Sequence, residues 1–286
     1  MSPESLAFAP KAFCPPSSRP PVCVRWLGTA GFEITHGPYT LLIDPYVTRA
    51  PLSVCVTGPL KSDDNAVRVF APQADAIVVG HCHFDHALDV PAIARATGAL
   101  VFGSRSTARL CHAFGIPSKL VSNVEDQPSE HDVGPFRLRF FRSRHSKLLF
   151  GRAVLADGDL GETIPQNALA YRSGTVLAVE IEVAGLTLFH LGSAEIDDAS
   201  IPSRAVDLLL FCAEGWTLGD RVPERVLHRL SPKAILLSHW DNFFTPFDRG
   251  PKPLPGLALA RLVERFTRLR RDLLLGTLPF FGDVRL

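Results

Sequence analysis

The chain has 286 residues, of which 46% are hydrophobic and 21% charged, and its formal net charge is +1. That balance excludes global disorder and allows a large core in one layered domain. It also argues against a dedicated nucleic-acid or membrane-surface binder.

Met1 to Pro21 reads as an irregular arm rich in Pro and Ser, including Cys14-Pro15-Pro16-Ser17-Ser18. It lacks the basic start and apolar stretch of a secretory signal. No run of about 18 apolar residues is present, so no membrane insertion is expected. Six cysteines are scattered without a CxxC pair. They read as mostly buried free thiols in a reducing compartment, and the expected location is cytoplasmic.

Val22–Leu27, Phe32–Thr35 and Tyr39–Ile43 predict an early meander of three strands, ended by Asp44-Pro45. Gly28-Thr29-Ala30-Gly31 is a turn and not a phosphate loop, because a strand follows it and no Lys-Ser/Thr does. Arg49–Gln73 reads as a long irregular region. The apolar run Ala76–Val79 predicts a buried strand. Asp89 is the expected N-cap of a helix from Val90 to Ala96, with Pro91 in its first turn and Gly98 at its end. A strand at Leu100–Gly103 and a helix at Ser106–Phe114 follow.

The second half predicts strands at Phe136–Phe141, Val176–Val183, Leu186–Leu191, Val206–Phe211, Ala234–Leu237 and Leu273–Leu278. Helices are expected at Pro223–Leu230 and Leu257–Arg271, the second amphipathic. Strands, then alternating strands and helices, occur twice. This order suggests two sheets packed face to face with helices outside, in one domain from residue 22 to 286.

Gly80-His81-Cys82-His83-Phe84-Asp85-His86 places three histidines and an aspartate just beyond the strand at Ala76–Val79. Neutral imidazole and carboxylate are donors that zinc-like ions prefer. His81 and His83 share parity, so one extended stretch can aim both at one ion. Asp85 and His86 follow at a turn and can face a second ion, while Cys82 should point away and pack. His145, Gly192-Ser193 and Ser238-His239-Trp240-Asp241-Asn242 also follow predicted strands, so they can converge on one rim of a sandwich.

With these residues the chain resembles the metallo-β-lactamase-fold superfamily. The resemblance lies in the HxHxDH pattern at 81–86, in Trp26-Leu27-Gly28-Thr29-Ala30-Gly31-Phe32, and in Leu42-Ile43-Asp44-Pro45. His145, Gly192-Ser193 and His239-Trp240-Asp241 extend it. Within the superfamily it looks closest to the branch holding ascorbate-6-phosphate lactonases and N-acylphosphatidylethanolamine phospholipase D. The resemblance implies a four-layer αββα sandwich of two mixed β-sheets with the site at one edge. It implies a first metal at His81, His83 and His145, and a second at Asp85, His86 and His239. Asp85 would also orient the nucleophile or pass a proton, and Asp44 would buttress the ligand loop. The cofactor implied is one or two zinc ions, although manganese and iron accept the same donors.

One departure stands out. The family usually carries an aspartate after the glycine at 192–193, where it bridges the two metals; this chain has Ser193. The missing charge should weaken the second site most, and either Glu195 or Glu214 is placed to supply it. The resemblance implies a metal-dependent hydrolase of a small ester, lactone or phosphodiester. The alternative is a non-catalytic metal-binding or interaction protein of the same fold. A nuclease is disfavoured by the near-zero charge.

Weaker signals remain. Arg137, Arg139, Arg142, Arg144, Lys147 and Arg152 surround His145. They read as a solvated face, with Arg144 and Lys147 the candidates for an anionic small-molecule substrate. Trp216, Trp240, Phe243, Phe244 and Phe247 either line a pocket or fill core. Asp241 and Asn242 either contact substrate or a ligand histidine, or cap their loop. His36, His112, His131, His190 and His228 stand outside the ligand series; His112 and His228 read as helical and His190 as buried.

Overall fold

The computed structural model describes residues 20–125, 130–147 and 153–286. The expected N-terminal arm up to residue 19, with Cys14, and the basic residue Arg152 lie outside the described residues.

Strand β1 (Cys23–Gly28), β2 (Gly31–His36) and β3 (Tyr39–Ile43) form the predicted antiparallel meander. Helices α1 (Leu52–Thr57) and α2 (Asp64–Phe70) follow, then β4 (Ala76–Val78) and the one-turn helix α3 (Phe84–Ala87). Next come α4 (Val90–Thr97), β5 (Leu100–Gly103), α5 (Arg105–Ala113), β6 (Val121–Asn123), β7 (Glu130–Val133) and β8 (Phe136–Arg142). The chain continues through β9 (Leu177–Val183), β10 (Leu186–Leu191), β11 (Leu208–Cys212), α6 (Val222–Leu230) and β12 (Ala234–Ser238). It closes with α7 (Leu259–Leu269), β13 (Leu274–Gly276) and β14 (Asp283–Arg285).

These strands make two sheets of seven, ordered β14-β1-β2-β3-β4-β5-β6 and β13-β12-β11-β10-β9-β8-β7. Each is antiparallel on one side and parallel on the other. The sheets face each other across a core that includes Trp26, Phe32, Ile43, Val78, Leu138, Ile181 and Phe189. The alternate residues Leu42, Ile77 and Val101 pack on the opposite face of the first sheet, with Ile93 of α4 and Leu110 of α5. Central strands covered on both faces have no polar side, which is why they read as continuous apolar runs. Helices α6 and α7 cover the outside of the second sheet through Val226, Leu262 and Phe266. The result is the expected four-layer αββα sandwich.

The sequence reading misses some elements. The region 49–73 is not irregular, because it carries α1 and α2. Asp63 caps α2 by accepting from the Asn65 and Ala66 amides. Strands β6, β7 and β14 are edge pieces of three or four residues, too short to show a period. Asp85 and His86 sit on α3 rather than in a turn. Asp89 occupies the N-cap position of α4 but makes no cap hydrogen bond. Its buried carboxylate instead accepts from the Val47 and Thr48 amides and from the Thr48 and Ser62 hydroxyls, pinning the loop after β3. No helix among the described residues is long and apolar enough to cross a membrane.

Candidate metal centre

Strands β3, β4, β8, β10, β11 and β12 all point their carboxyl ends toward one edge of the sandwich. The polar residues that follow them meet there. Two groups form, His81 with His83 and His145, and Asp85 with His86 and His239. Within each group the donor atoms lie within 4.8 Å of one another.

In the first group His81 Nε2 lies 3.1 Å from His83 Nδ1. Ligands held tetrahedrally at zinc distances stand about 3.3 Å apart, so this spacing fits one ion. His145 turns Nδ1 to its neighbour's carbonyl, Ser146 O at 2.7 Å, which leaves Nε2 for the centre. Its ring centroid is 4.8 Å from those of His81 and His83. In the second group His239 Nε2 is 3.1 Å and His86 Nε2 3.9 Å from Asp85 Oδ2. The His81 and His86 rings are 3.8 Å apart between centroids, so the two groups adjoin.

Protonation states suit a cation. Burial lowers His81, His83 (to about 4) and His145, so all three are neutral at pH 7 with free lone pairs. Burial pushes Asp85 upward, but His86 and the hydrogen bond from His239 override it and hold the carboxyl below its usual range. Burial pulls His239 down, and Asp85 more than restores it. Five imidazoles and a carboxylate in this arrangement fit a divalent metal by their chemistry and spacing alike.

The support of the site is specific. Asp44, fully buried with φ 43°, accepts the Gly80 amide at Oδ1 (2.6 Å) and the His86 Nδ1 proton at Oδ2 (2.8 Å). A β-carbon on Gly80 or Gly192 would come within 3.0 and 2.9 Å of that carboxylate, so both strand ends need glycine to close on it. Asp44 thereby ties the end of β4 to the His86 ring. His190 is buried as expected, donating toward Ala30 O at 3.2 Å.

Asp241 does not line the site. It lies at 0% exposure, accepts the Thr29 amide (2.9 Å) and pairs with Arg49 Nη1 at 2.6 Å. Arg49 also donates to Thr245 O and Asn242 O and lies over the Phe247 and Phe280 rings. The pair therefore ties the His239 loop to the turn at Thr29. His239 itself has φ 53° and donates its amide to Thr29 O at 2.6 Å, a strained conformation that this network maintains. Sequence reading missed Arg49, because the pair spans 192 residues and no local pattern marks it.

Ser193 is buried beside the centre, and its hydroxyl accepts the Ser146 amide at 3.0 Å. It thereby positions the turn that carries His145. Of the two glutamates considered, Glu195 is engaged by Arg225 at 2.6 Å and by the Ile196 amide. Glu214 lines the cavity.

That cavity has a volume of about 160 Å³. It is lined by both metal groups and by Phe84, Leu155, Leu169, Phe243, Phe244 and Leu254. No lysine or arginine is among the described lining residues. Trp240 stacks on Trp26 in the core, centroids 5.1 Å apart, so the aromatic run divides between core and pocket. Arg137 and Arg139 are spent on Glu130 and Glu182, and Arg144 pairs with Asp197. Arg144 and Lys147 line a separate polar cavity on the far side of His145.

Residues 23–239 match the model of the beta-lactamase superfamily domain. The chain belongs to that family. It is 26% identical over 227 residues to a UPF0173 metal-dependent hydrolase of Symbiobacterium thermophilum, covering 77% of this chain and 84% of the relative. Among solved structures it resembles the metallo-beta-lactamase fold protein YhfI of Bacillus subtilis, with a TM-score of 0.59, 16% identity, and coverage of 94% of this chain and all of that one. It also resembles Igni18, a metallo hydrolase of Ignicoccus hospitalis, with a TM-score of 0.57, 15% identity, and coverage of 93% and 98%. These two likenesses carry the fold.

Proposed function

We propose that this beta-lactamase-superfamily protein is a metal-dependent hydrolase of a small, neutral ester or lactone. The observation that carries the reading is the meeting of six metal-competent donors with an apolar cavity free of lysine and arginine among its described lining residues. The relative named a metal-dependent hydrolase supports the same class. His81, His83 and His145 would hold one ion, and Asp85, His86 and His239 a second. Bound there, a divalent ion such as zinc or manganese lowers the pKa of water toward roughly 7 and polarises a carbonyl oxygen. Asp85, ionised and already in contact with His239, is the chain's own group to orient the attacking water and take its proton. Phe84, Phe243 and Phe244 would receive the apolar part of the substrate and keep bulk water out.

An anionic phosphodiester is the less favoured substrate. It would need a cation at the reacting group, and the nearest candidates, Arg144 and Lys147, lie in the adjoining polar cavity. A panel of p-nitrophenyl esters, γ-lactones and bis(p-nitrophenyl) phosphate, assayed with Zn²⁺ or Mn²⁺, separates these readings. The expected result is turnover of neutral esters or lactones, abolished by His83→Ala and shifted to higher KM by Phe243→Ala. Preference for the phosphodiester would overturn the substrate class. Bound zinc with no turnover of any compound would favour the non-catalytic alternative.

A further inference from the structure

Charge balance at the centre leaves one carboxylate to explain. Two divalent ions bring four positive charges, and the six donors contain a single anionic side chain, Asp85. Asp44 acts only through the His86 ring. Positive charge in a buried site needs nearby compensation. Ser193 offers none, and its hydroxyl is committed to the Ser146 amide.

Glu214 is the remaining candidate. It follows β11, the strand beside β10, and lines the same cavity as Ser193, Asp85, His86 and His239. No lysine or arginine among the described residues forms an ion pair with it, in contrast to Glu195, which is held by Arg225. Its backbone is placed by close packing. Gly215 has φ 79°, and a β-carbon there would fall 2.2 Å from the Ser146 hydroxyl. Ser146 thus touches the His145 turn, Ser193 and the Glu214 turn together.

We propose that Glu214 supplies the second negative charge of the metal centre and that it stabilises the ion at Asp85, His86 and His239. The inference rests on the two-ion reading above. It assigns to β11 the charge that position 193 on β10 lacks.

Zinc binding to the full chain tests it. Metal-free wild type, Glu214→Gln, Ser193→Asp and the double variant Ser193→Asp/Glu214→Gln are titrated with Zn²⁺ by calorimetry, with bound zinc counted by elemental analysis. Thermal melting verifies that each is folded. Two equivalents are the expected result for wild type, and a single one overturns the two-ion reading on which the inference rests. In Glu214→Gln the first should bind as in wild type and the second about 10–100-fold more weakly, the usual range for losing a supporting group near a metal. The double variant should recover the second equivalent, because an aspartate at 193 returns the charge to the same cavity. A structural role for Glu214 would not be rescued this way. Equal second-site affinity in wild type and Glu214→Gln, or a double variant no better than Glu214→Gln, overturns the inference. If Glu214→Gln does not fold, a Ser193→Asp chain whose second-site affinity rises about 10–100-fold over wild type does the same, because it shows that the charge was missing in the native chain. Failure of wild type to bind any zinc instead overturns the metal-centre reading itself.

Discussion

Replacing Asp44 by Asn tests how the second metal group is prepared. The two side chains have nearly the same shape, so packing is preserved. In the native chain one oxygen accepts from the Gly80 amide at 2.6 Å and the other from His86 Nδ1 at 2.8 Å, all fully buried. An asparagine can keep its oxygen on Gly80, but its NH₂ then faces His86 Nδ1. His86 must answer by moving its proton to Nε2, the nitrogen that faces Asp85 and the metal group. The opposite amide orientation sets NH₂ against the Gly80 N–H and is no better. Exchanging a charge-assisted hydrogen bond for a neutral one costs about 1–1.5 kcal/mol of stability. Loss of the ligand lone pair and of its oriented ring should weaken the second zinc equivalent about 10–100-fold, or about 1.4–2.7 kcal/mol. The first equivalent, at His81, His83 and His145, should change little. Titration calorimetry resolves the two equivalents, and urea denaturation of the metal-free protein gives the stability term. An Asp44→Asn chain that binds both equivalents as wild type does would refute the tautomer argument.

Three further outcomes rest on other contacts. Arg49→Met leaves Asp241 buried without its cation and should destabilise the fold by about 3–5 kcal/mol in denaturant titration. Arg144→Ala, at an exposed pair with Asp197, should stay within about 0.5 kcal/mol; equal effects would contradict the burial argument. Metal-free protein should lose stability as pH falls from about 6.5 toward 4. His81, His83 (about 4) and His145 resist protonation in the fold, so the unfolded chain binds more protons over that window and stability rises with pH. His239, raised by Asp85, keeps its contribution across this window and loses it only as pH rises above about 6.5, so a flat urea midpoint from about pH 6.5 to 4 would refute the burial argument.

The legible part of this protein lies in local pattern. Apolar runs with turn residues at their ends located the long strands, because a central strand buried on both faces tolerates little else. Histidine spacing located the centre, because His81 and His83 follow one strand and share a direction. The class of site was therefore open to reading from residues 76–86 and the strand ends alone. What stayed closed was each property set by partners far along the chain. Asp241 finds Arg49 across 192 positions, and Asp89 leaves its helix cap for a loop more than 40 residues earlier. The choice of Glu214 over Glu195 depended on Arg225, which reaches only the second. Nothing in sequence order ranks these contacts, since hydrogen bonds and ion pairs act over a few ångströms of space. The sheets had to bring β3, β4, β8, β10, β11 and β12 to one edge before the apolar cavity beside the histidines could be recognised.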